Sequence, residues 1–430
     1  MGTYFIRRML LMIPTFIGCT VLVFIILQLT PGGPLEKAVQ QLQAGANQEG
    51  GMEAGGGTAD IMSGGSQILP KKALEDLKRF YGFDKPIWQR YLIWLGIWER
   101  EIKHRDFTIK TGKDEVRKRV GKKKRKKIYV TIKKDGDKLT VFDSDNNISS
   151  IWNAKIEDID STGASNGVVY QTEYSGILTG NLGKSYTYQQ KVTDVMKPRF
   201  KVSIFFGLIG LTLSYLICLP LGIKKALNHG STFDFLSSVM IFVAYSIPGW
   251  AFGGVLLVLL GGGSFWDVFP LGGFRSPSEI WDELTLWGKI MDQMHHAFLP
   301  IIAYTIGTFA TKTVLMKNGL LEQMSQDYIR TAFAKGISEK RAVWIHAIRN
   351  SMIPIASSLG HIIGVVIAGS YLIEKVFNID GFGKMGFQAI LDRDYPIVLA
   401  FVVISVLLRL FGNLLSDLIL ATVDPRIRFK

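Results

Sequence analysis

Four stretches of this chain carry residue types from which chemistry could be built, and three of them concern phosphate, dinucleotide or metal. Leu178 to Ser185 reads LTGNLGKS, one residue short of a phosphate-cradling loop. Such a loop needs glycine where Leu178 stands, because its backbone folds around phosphate, and a helix must open at its Lys-Ser pair. Tyr186-Thr187-Tyr188 follows instead, so ATP binding is rejected here. Gly381-Phe382-Gly383-Lys384-Met385-Gly386 fits Gly-x-Gly-x-x-Gly in full. A dinucleotide site also requires a buried strand before it, a crossover helix after it and an acid about twenty positions on. That position lies in an apolar run, and the glycines read as turn formers. His295 and His296 could begin a metal site, but without a third ligand nearby a solvated interfacial pair is the better reading. Cys19 and Cys218 both lie inside apolar runs, which leaves neither a disulfide nor a metal cluster to assemble from them. The chain reads as a non-enzyme that binds no cofactor or metal itself.

The fourth stretch is different in kind. Asp327 to Pro354, DYIRTAFAKGISEKRAVWIHAIRNSMIP, is a polar loop between two apolar runs, and Arg330, Lys335, Lys340, Arg341 and Arg349 outweigh its acids. That bias places it in the cytoplasm. The residues up to Ala334 favour helix, Gly336 can end that helix with positive φ, and Ser338 is a plausible N-cap for the next. A helix, a glycine break and a second helix make a short rigid peg that another protein could grip. Arg330, Thr331, Ala332, Ala334, Lys335 and Gly336 are its candidate contact residues. The two alanines are small enough for close docking, the glycine turns the chain, and the cations can pair with acids of a partner.

The elements that must position this peg follow from composition. Of 430 residues 48% are hydrophobic, but the material is uneven: 9–29 and most of 202–420 are membrane-like, while about 30–200 is polar and glycine-rich. The net charge of +14 could suggest nucleic acid. Lys and Arg gathered on the inner loops of a membrane protein explain it without nucleic acid. Residues 1–29, opening with Arg7-Arg8, read as an uncleaved N-terminal transmembrane helix rather than a signal peptide, since the apolar run is long and no small-x-small site follows. Further spans are expected at about 202–222, 235–260, 297–317, 352–373 and 396–421, giving six crossings with both termini cytoplasmic. Lys224-Lys225 would mark an inner end. Pro220, Pro248, Pro300 and Pro354 fall in or beside spans, where they bend or start helices. Such bends suit a pathway that opens alternately and are equally ordinary in membrane helices.

Region 30–200 is expected outside. Within it 41–66 reads as a flexible Gly-rich loop, 71–98 as helical, and about 100–175 as a β-rich insertion with a hairpin turn at Asp135-Gly136. The run Lys122 to Lys127 is read as a solvated charge run. Lys312 lies near the inner end of its span, where its stem can snorkel to the interface. Arg409 sits mid-span, where facing lipid costs about 2.5–3.5 kcal/mol, so it should face protein or a water-filled cavity. Either a structural partner or the solute could meet it, and Asp417 is the only acid near its depth.

With these residues in view the chain resembles a known family. Tyr328-x-Arg330-Thr331-Ala332-x-Ala334-Lys335-Gly336 is similar to the EAA loop of ABC-importer permeases in the peptide and nickel group, whose longer spacing to Ile353-Pro354 it shares. The resemblance extends over Pro31-Gly32-Gly33-Pro34, Gly82-Phe83-Asp84-Lys85-Pro86, Arg393-Asp394-Tyr395-Pro396 and Asp424-Pro425-Arg426-Ile427. The glycine doublet after Pro31 tilts it towards the Yej-type branch, importers of oligopeptides and the peptide–nucleotide microcin C. The resemblance implies an all-α permease of six transmembrane helices, here with the extracytoplasmic insertion, and a five-helix core over 201–430 that holds the coupling loop 319–351. It further implies a bacterial inner-membrane location. The implied partners are a second permease subunit, two ATP-binding subunits that carry ATP-Mg, and an extracytoplasmic solute-binding protein, with coupling through the 327–345 loop. The alternatives are a membrane-anchored sensor with a ligand-binding β-module, which would want a cytoplasmic effector domain, and a secondary transporter, which would want inverted repeats and intramembrane acids.

Overall fold

The computed structural model describes residues 2–36, 38–39, 74–75, 77–79, 82–123, 126–136, 138–143, 147–159, 163–262, 265–367 and 369–423. The expected flexible loop at 41–66 and the tail at 424–430 lie outside these. The chain divides into two compact units, Met1–Pro34 with Lys184–Lys430, and Leu35–Gly183.

The first unit is helical, as its long apolar runs dictate. It comprises α1 (Gly2–Leu29), α3 (Val192–Leu227), α4 (Thr232–Ser246), α5 (Gly249–Leu260), α6 (Ser278–Glu283) and α7 (Leu286–Met324). Four short segments follow: α8 (Asp327–Ala334), α9 (Glu339–Arg341), a π-helix (Ala342–Ala347) and α10 (Ile348–Ser351). α11 (Ile353–Ile367), α12 (Tyr371–Val376), α13 (Phe382–Asp392) and α14 (Tyr395–Val423) complete the unit. Every expected span contains helix, but among the described residues three helices are individually long and apolar enough to cross a membrane, or up to five if each bent pair is one span. The expected third span is bent by 93° between α4 and α5. Pro248 is the cause: it lacks an N–H to continue α4 and caps α5 in extended conformation. The expected fifth is the 15-residue α11, which at 1.5 Å per residue spans about 22 Å, short of a ~30 Å hydrocarbon core. Gly369, at φ +80, turns the chain soon after it.

Close packing of helices rests on small residues. Gly222 of α3 lies against Met316 and the Thr313 carbonyl of α7, and Gly360 of α11 against the Gly412 carbonyl of α14. A core of Phe206, Ala297, Leu299, Ile301, Ala303, Ile373, Phe377 and Ile379 joins α3, α7 and the segment after α11.

Among its described residues the second unit holds α2 (Ile87–Leu95) and six strands: β1 (Arg100–Ile109), β2 (Glu115–Lys123), β3 (Lys126–Asp135), β4 (Lys138–Phe142), β5 (Trp152–Ile159) and β6 (Ser165–Glu173). They form two three-stranded sheets, β1-β6-β5 and β2-β3-β4, antiparallel at each pairing given by the register. Asp135 pairs with Lys138 around Gly136, whose φ is +59. Alternation puts Val120, Val130, Ile132 and Val141 inward with Phe107, Ile109, Trp152 and Val169. Glu101 is held by Lys85 at 2.8 Å, Lys155 at 3.0 Å and His104 at 3.4 Å. The His104 hydrogen bond leads these partners in keeping the Glu101 carboxyl well below the usual range.

Candidate functional site

The basic loop is built on a helix whose ends are closed locally. Asp327 stands in the first turn of α8, where negative charge complements the helix N-terminus. Ile329 and Ala332, three residues apart, are buried on one face, while Arg330, Thr331, Phe333 and Ala334 are exposed. The helix ends in a Schellman arrangement: the Gly336 N–H donates to the Phe333 carbonyl at 2.9 Å and the Ile337 N–H to the Ala332 carbonyl at 3.2 Å. Gly336 takes φ +78, and a Cβ there would meet nothing within 4 Å. Glycine is thus required by the backbone, and its surroundings are open. Ser338 takes the N-cap of α9 without a side-chain capping bond; its carbonyl accepts from the Ala342 N–H at 2.9 Å. The Asn350 amide donates to the Tyr328 hydroxyl at 3.0 Å, which clamps α10 to α8.

The buried face of this element is continuous with the surrounding helices. Ile329, Val343 and Ala347 share one core cluster with Ala226 of α3, Met316 and Leu320 of α7, and Ile355 of α11. Because such packing is close to crystalline density, the loop cannot shift without moving those helices. Arg330, Thr331, Ala334, Lys335 and Gly336 lie on the free side. Ala332 does not: it is turned into the chain's own core and supplies a capping carbonyl, so its small size serves internal packing. Sequence reasoning missed Phe333, Trp344 and Ile345, which are 43%, 55% and 51% exposed on the same element. The signal was present in large apolar residues set within a basic motif, the composition of interface anchors. The Arg330–Asp327 contact is 3.4 Å and fully solvated, and it constrains the guanidinium little.

Beside the loop lies a charge cluster that sequence spacing could not disclose. Lys225, expected to mark the inner end of a span, is 1% exposed. Its ammonium meets Asp234 Oδ1 at 3.0 Å and donates to the Asp234 carbonyl, Ser237 Oγ and Ser238 Oγ at 2.7–2.9 Å. Lys317 of α7 reaches both Asp234 oxygens at 2.7 and 2.8 Å, and His229 Nδ1 lies 3.2 Å away. One carboxylate therefore ties the α3–α4 corner to α7.

The Gly-x-Gly-x-x-Gly stretch does open a helix and does hold an anion, but the anion belongs to the chain. The buried Glu374 carboxylate accepts from the Lys384 N–H at 2.6 Å and from Ser203 Oγ of α3 at 2.7 Å. Ser203 Oγ in turn accepts from the Phe382 N–H at 2.7 Å. A Cβ at Gly381 would collide with this carboxylate. Burial pushes the Glu374 carboxyl up despite these donors. Ser185, from the near-miss phosphate loop, likewise finds an internal partner. It donates at 2.5 Å to Asp394, which also accepts from the Thr187 N–H at 3.0 Å. Arg393, at φ +56, donates to the Pro31 carbonyl against Gly32. The Pro-Gly-Gly-Pro turn and the Arg-Asp-Tyr-Pro turn, far apart in sequence, are thereby joined.

The remaining candidates separate. Lys312 is buried rather than snorkelled: its ammonium hydrogen-bonds Tyr215 at 3.0 Å and lies 4.3 Å from that ring's centroid. His295 and His296 each engage a backbone carbonyl, of Val268 at 2.7 Å and Asp292 at 2.9 Å. Asp417 is taken by Arg8 at 3.1 Å and Tyr4 at 3.2 Å, not by Arg409. Arg409 is exposed on α14.

Residues 218–429, which include the whole basic loop, match the family described as the binding-protein-dependent transport system inner membrane component. Over 441 residues the chain is 33% identical to the peptidoglycan transport system permease protein YejB of Agrobacterium fabrum, covering 100% of this chain and 99% of the relative. The chain belongs to this family of ABC-importer permeases. The permease is also 32% identical to the inner membrane ABC transporter permease protein YejB of Escherichia coli O157:H7, with both chains covered in full. It is 25% identical to the dipeptide transport system permease protein DppB of Escherichia coli K12, over 99% of each. The permease is thus a transport subunit and not an enzyme, and ATP hydrolysis falls to a partner.

Proposed function

We propose that the permease forms half of the translocation pathway of an ATP-driven importer for peptides or peptide-like solutes, and that α8 to α10 is where a separate ATPase drives it. In this reading the chain crosses the bacterial inner membrane six times, with α4–α5 and α7 as bent spans, α11 as a short one and both termini cytoplasmic. Its partners are a second permease, two ATP-binding subunits carrying ATP-Mg and an extracytoplasmic solute-binding protein; the chain binds no cofactor itself. The relatives' names, peptidoglycan, dipeptide and oligopeptide transport, support a peptide-type solute. The sensor alternative is not kept, since relatives aligned over the whole chain are permeases.

One observation carries the coupling role: a single element presents Arg330, Phe333, Lys335, Trp344 and Ile345 outward while Ile329, Val343 and Ala347 are bolted into three helices. ATP-driven closure of the ATPases would displace the outward side, and the packed side would carry that displacement into α3, α7 and α11. Energetically this is a population shift, supplied by the different ATP affinities of the two ATPase states. The test is a thiol at Lys335 in the assembled transporter, cross-linked to cysteines placed in the ATPase. Cross-links whose yield changes with ATP support the reading, and their absence at every ATPase position removes it.

A further inference from the structure

The mid-span cation on α14 is the group that the fold leaves without a use. Arg409 lies about 20 Å from either end of the Tyr395–Thr422 span at 1.5 Å per residue, and it forms no ion pair or hydrogen bond among the described residues. The acid near its depth, Asp417, is occupied by Arg8 and Tyr4. Arg409 does not share the span's exposed apolar face either. At ~100° per residue the exposed apolar side chains Leu407, Phe411, Leu415 and Leu418 fall within about 80° of one another, and Arg409 points roughly 160° from the centre of that stripe.

The side on which Arg409 does lie carries polar groups among Val398, Val402 and Leu420. Ser405, one turn before it, has a buried hydroxyl without a hydrogen-bond partner. Asn413 and Ser416 continue the same stripe, and Ser416 Oγ bonds carbonyls of α11. The span thus carries Ser405, Arg409, Asn413 and Ser416 on the side away from its exposed apolar stripe. Lys312, the other cation deep in a span, is buried on a neutral hydroxyl rather than a carboxylate.

We infer that Arg409 faces the solute pathway and pairs with a carboxylate of the solute in transit, so that the permease favours solutes bearing a free carboxylate. The inference rests on the importer reading above. A guanidinium presents paired N–H donors that match a carboxylate bidentately and stays charged at any working pH, and Ser405 adds a neutral hydroxyl one turn away.

The experiment uses the complete transporter with its binding protein in proteoliposomes and two probes, radiolabelled trialanine and trialanine amide. The binding protein's own preference cancels when variants are compared by their acid-to-amide uptake ratio. Arg409→Gln is expected to lower that ratio about tenfold, and Arg409→Lys to keep most of it. Should Arg409→Gln fail to assemble, the decision passes to Arg409→Cys in a Cys19→Ser, Cys218→Ser background treated with charged methanethiosulfonates. The trimethylammonium reagent should react and restore the ratio, and the sulfonate reagent should react without restoring it. A ratio unchanged by Arg409→Gln, or a thiol unreactive to both reagents, overturns the inference alone. Wild-type proteoliposomes that hydrolyse ATP and take up neither probe overturn the importer reading on which it stands.

Discussion

Gly336→Asp separates coupling from folding, because the structure bounds how much folding energy the change can cost. The glycine adopts φ +78 in open space, so a side chain meets no atom and only backbone strain is added. A left-handed non-glycine residue costs about 1–2 kcal/mol, least for Asn and Asp. Domain stabilities are about 5–15 kcal/mol, so the permease should fold and insert with a Tm a few degrees lower at most. For the docked state the same change is severe. It places a carboxylate next to Lys335, on the face proposed to meet acidic partner groups, and like charges brought together in an interface cost several kcal/mol. The expected result is an inserted subunit whose ATPases still turn over ATP while solute uptake falls at least about tenfold, since each 1.4 kcal/mol is a factor of ten. Gly336→Asn, with the same backbone tolerance and no charge, should retain most uptake. Uptake and ATP hydrolysis would be measured together in proteoliposomes, with Tm followed by scanning fluorimetry. Full transport by Gly336→Asp, or equal losses for the Asn and Asp variants, would refute the reasoning.

Three further outcomes are expected. Asp234→Asn leaves Lys225 buried beside Lys317 without a counter-charge and should destabilise the helical unit by about 3 kcal/mol, read as a lowered Tm in detergent; a Tm within a degree of wild type would show that the cluster is solvated. Ser203→Ala removes a donor from Glu374 and an acceptor from Phe382 and should cost about 1–3 kcal/mol. Because burial raises the Glu374 carboxyl in the folded state, stability from this group is greatest below its ordinary value of 4.5 and declines as pH rises towards the raised one. Glu374→Gln should abolish that decline, and a Tm difference between the variant and wild type that does not change with pH would contradict it. Glu101 has the opposite sign: its lowered carboxyl stabilises above the ordinary value of 4.5, and the contribution disappears only as pH falls well below it. Glu101→Gln should therefore unfold earlier than wild type at pH 7 and converge with it in strong acid, with convergence at neutral pH counting against the network.

What was legible in the sequence is what depends on near neighbours along the chain. Long apolar runs made the helices, Gly336 ended α8 as its position implied, and Asp135-Gly136 turned β3 into β4, because caps and hairpin turns are settled within a few residues. The basic loop was legible as a motif for the same reason. Only the tertiary structure decided which side of each element is buried. It turned Ala332 inward while leaving Ala334 out, withdrew Lys225 and Lys312 from solvent, and bent the third span at Pro248. The partnerships of Asp234 with Lys317, Glu374 with Ser203 and Asp394 with Ser185 join groups between 83 and 209 residues apart. No local pattern encodes them. A charge deep in a fold is stable only where the packing of distant segments brings donors or a counter-charge to it, and that condition is a property of the assembled helices rather than of any stretch of chain.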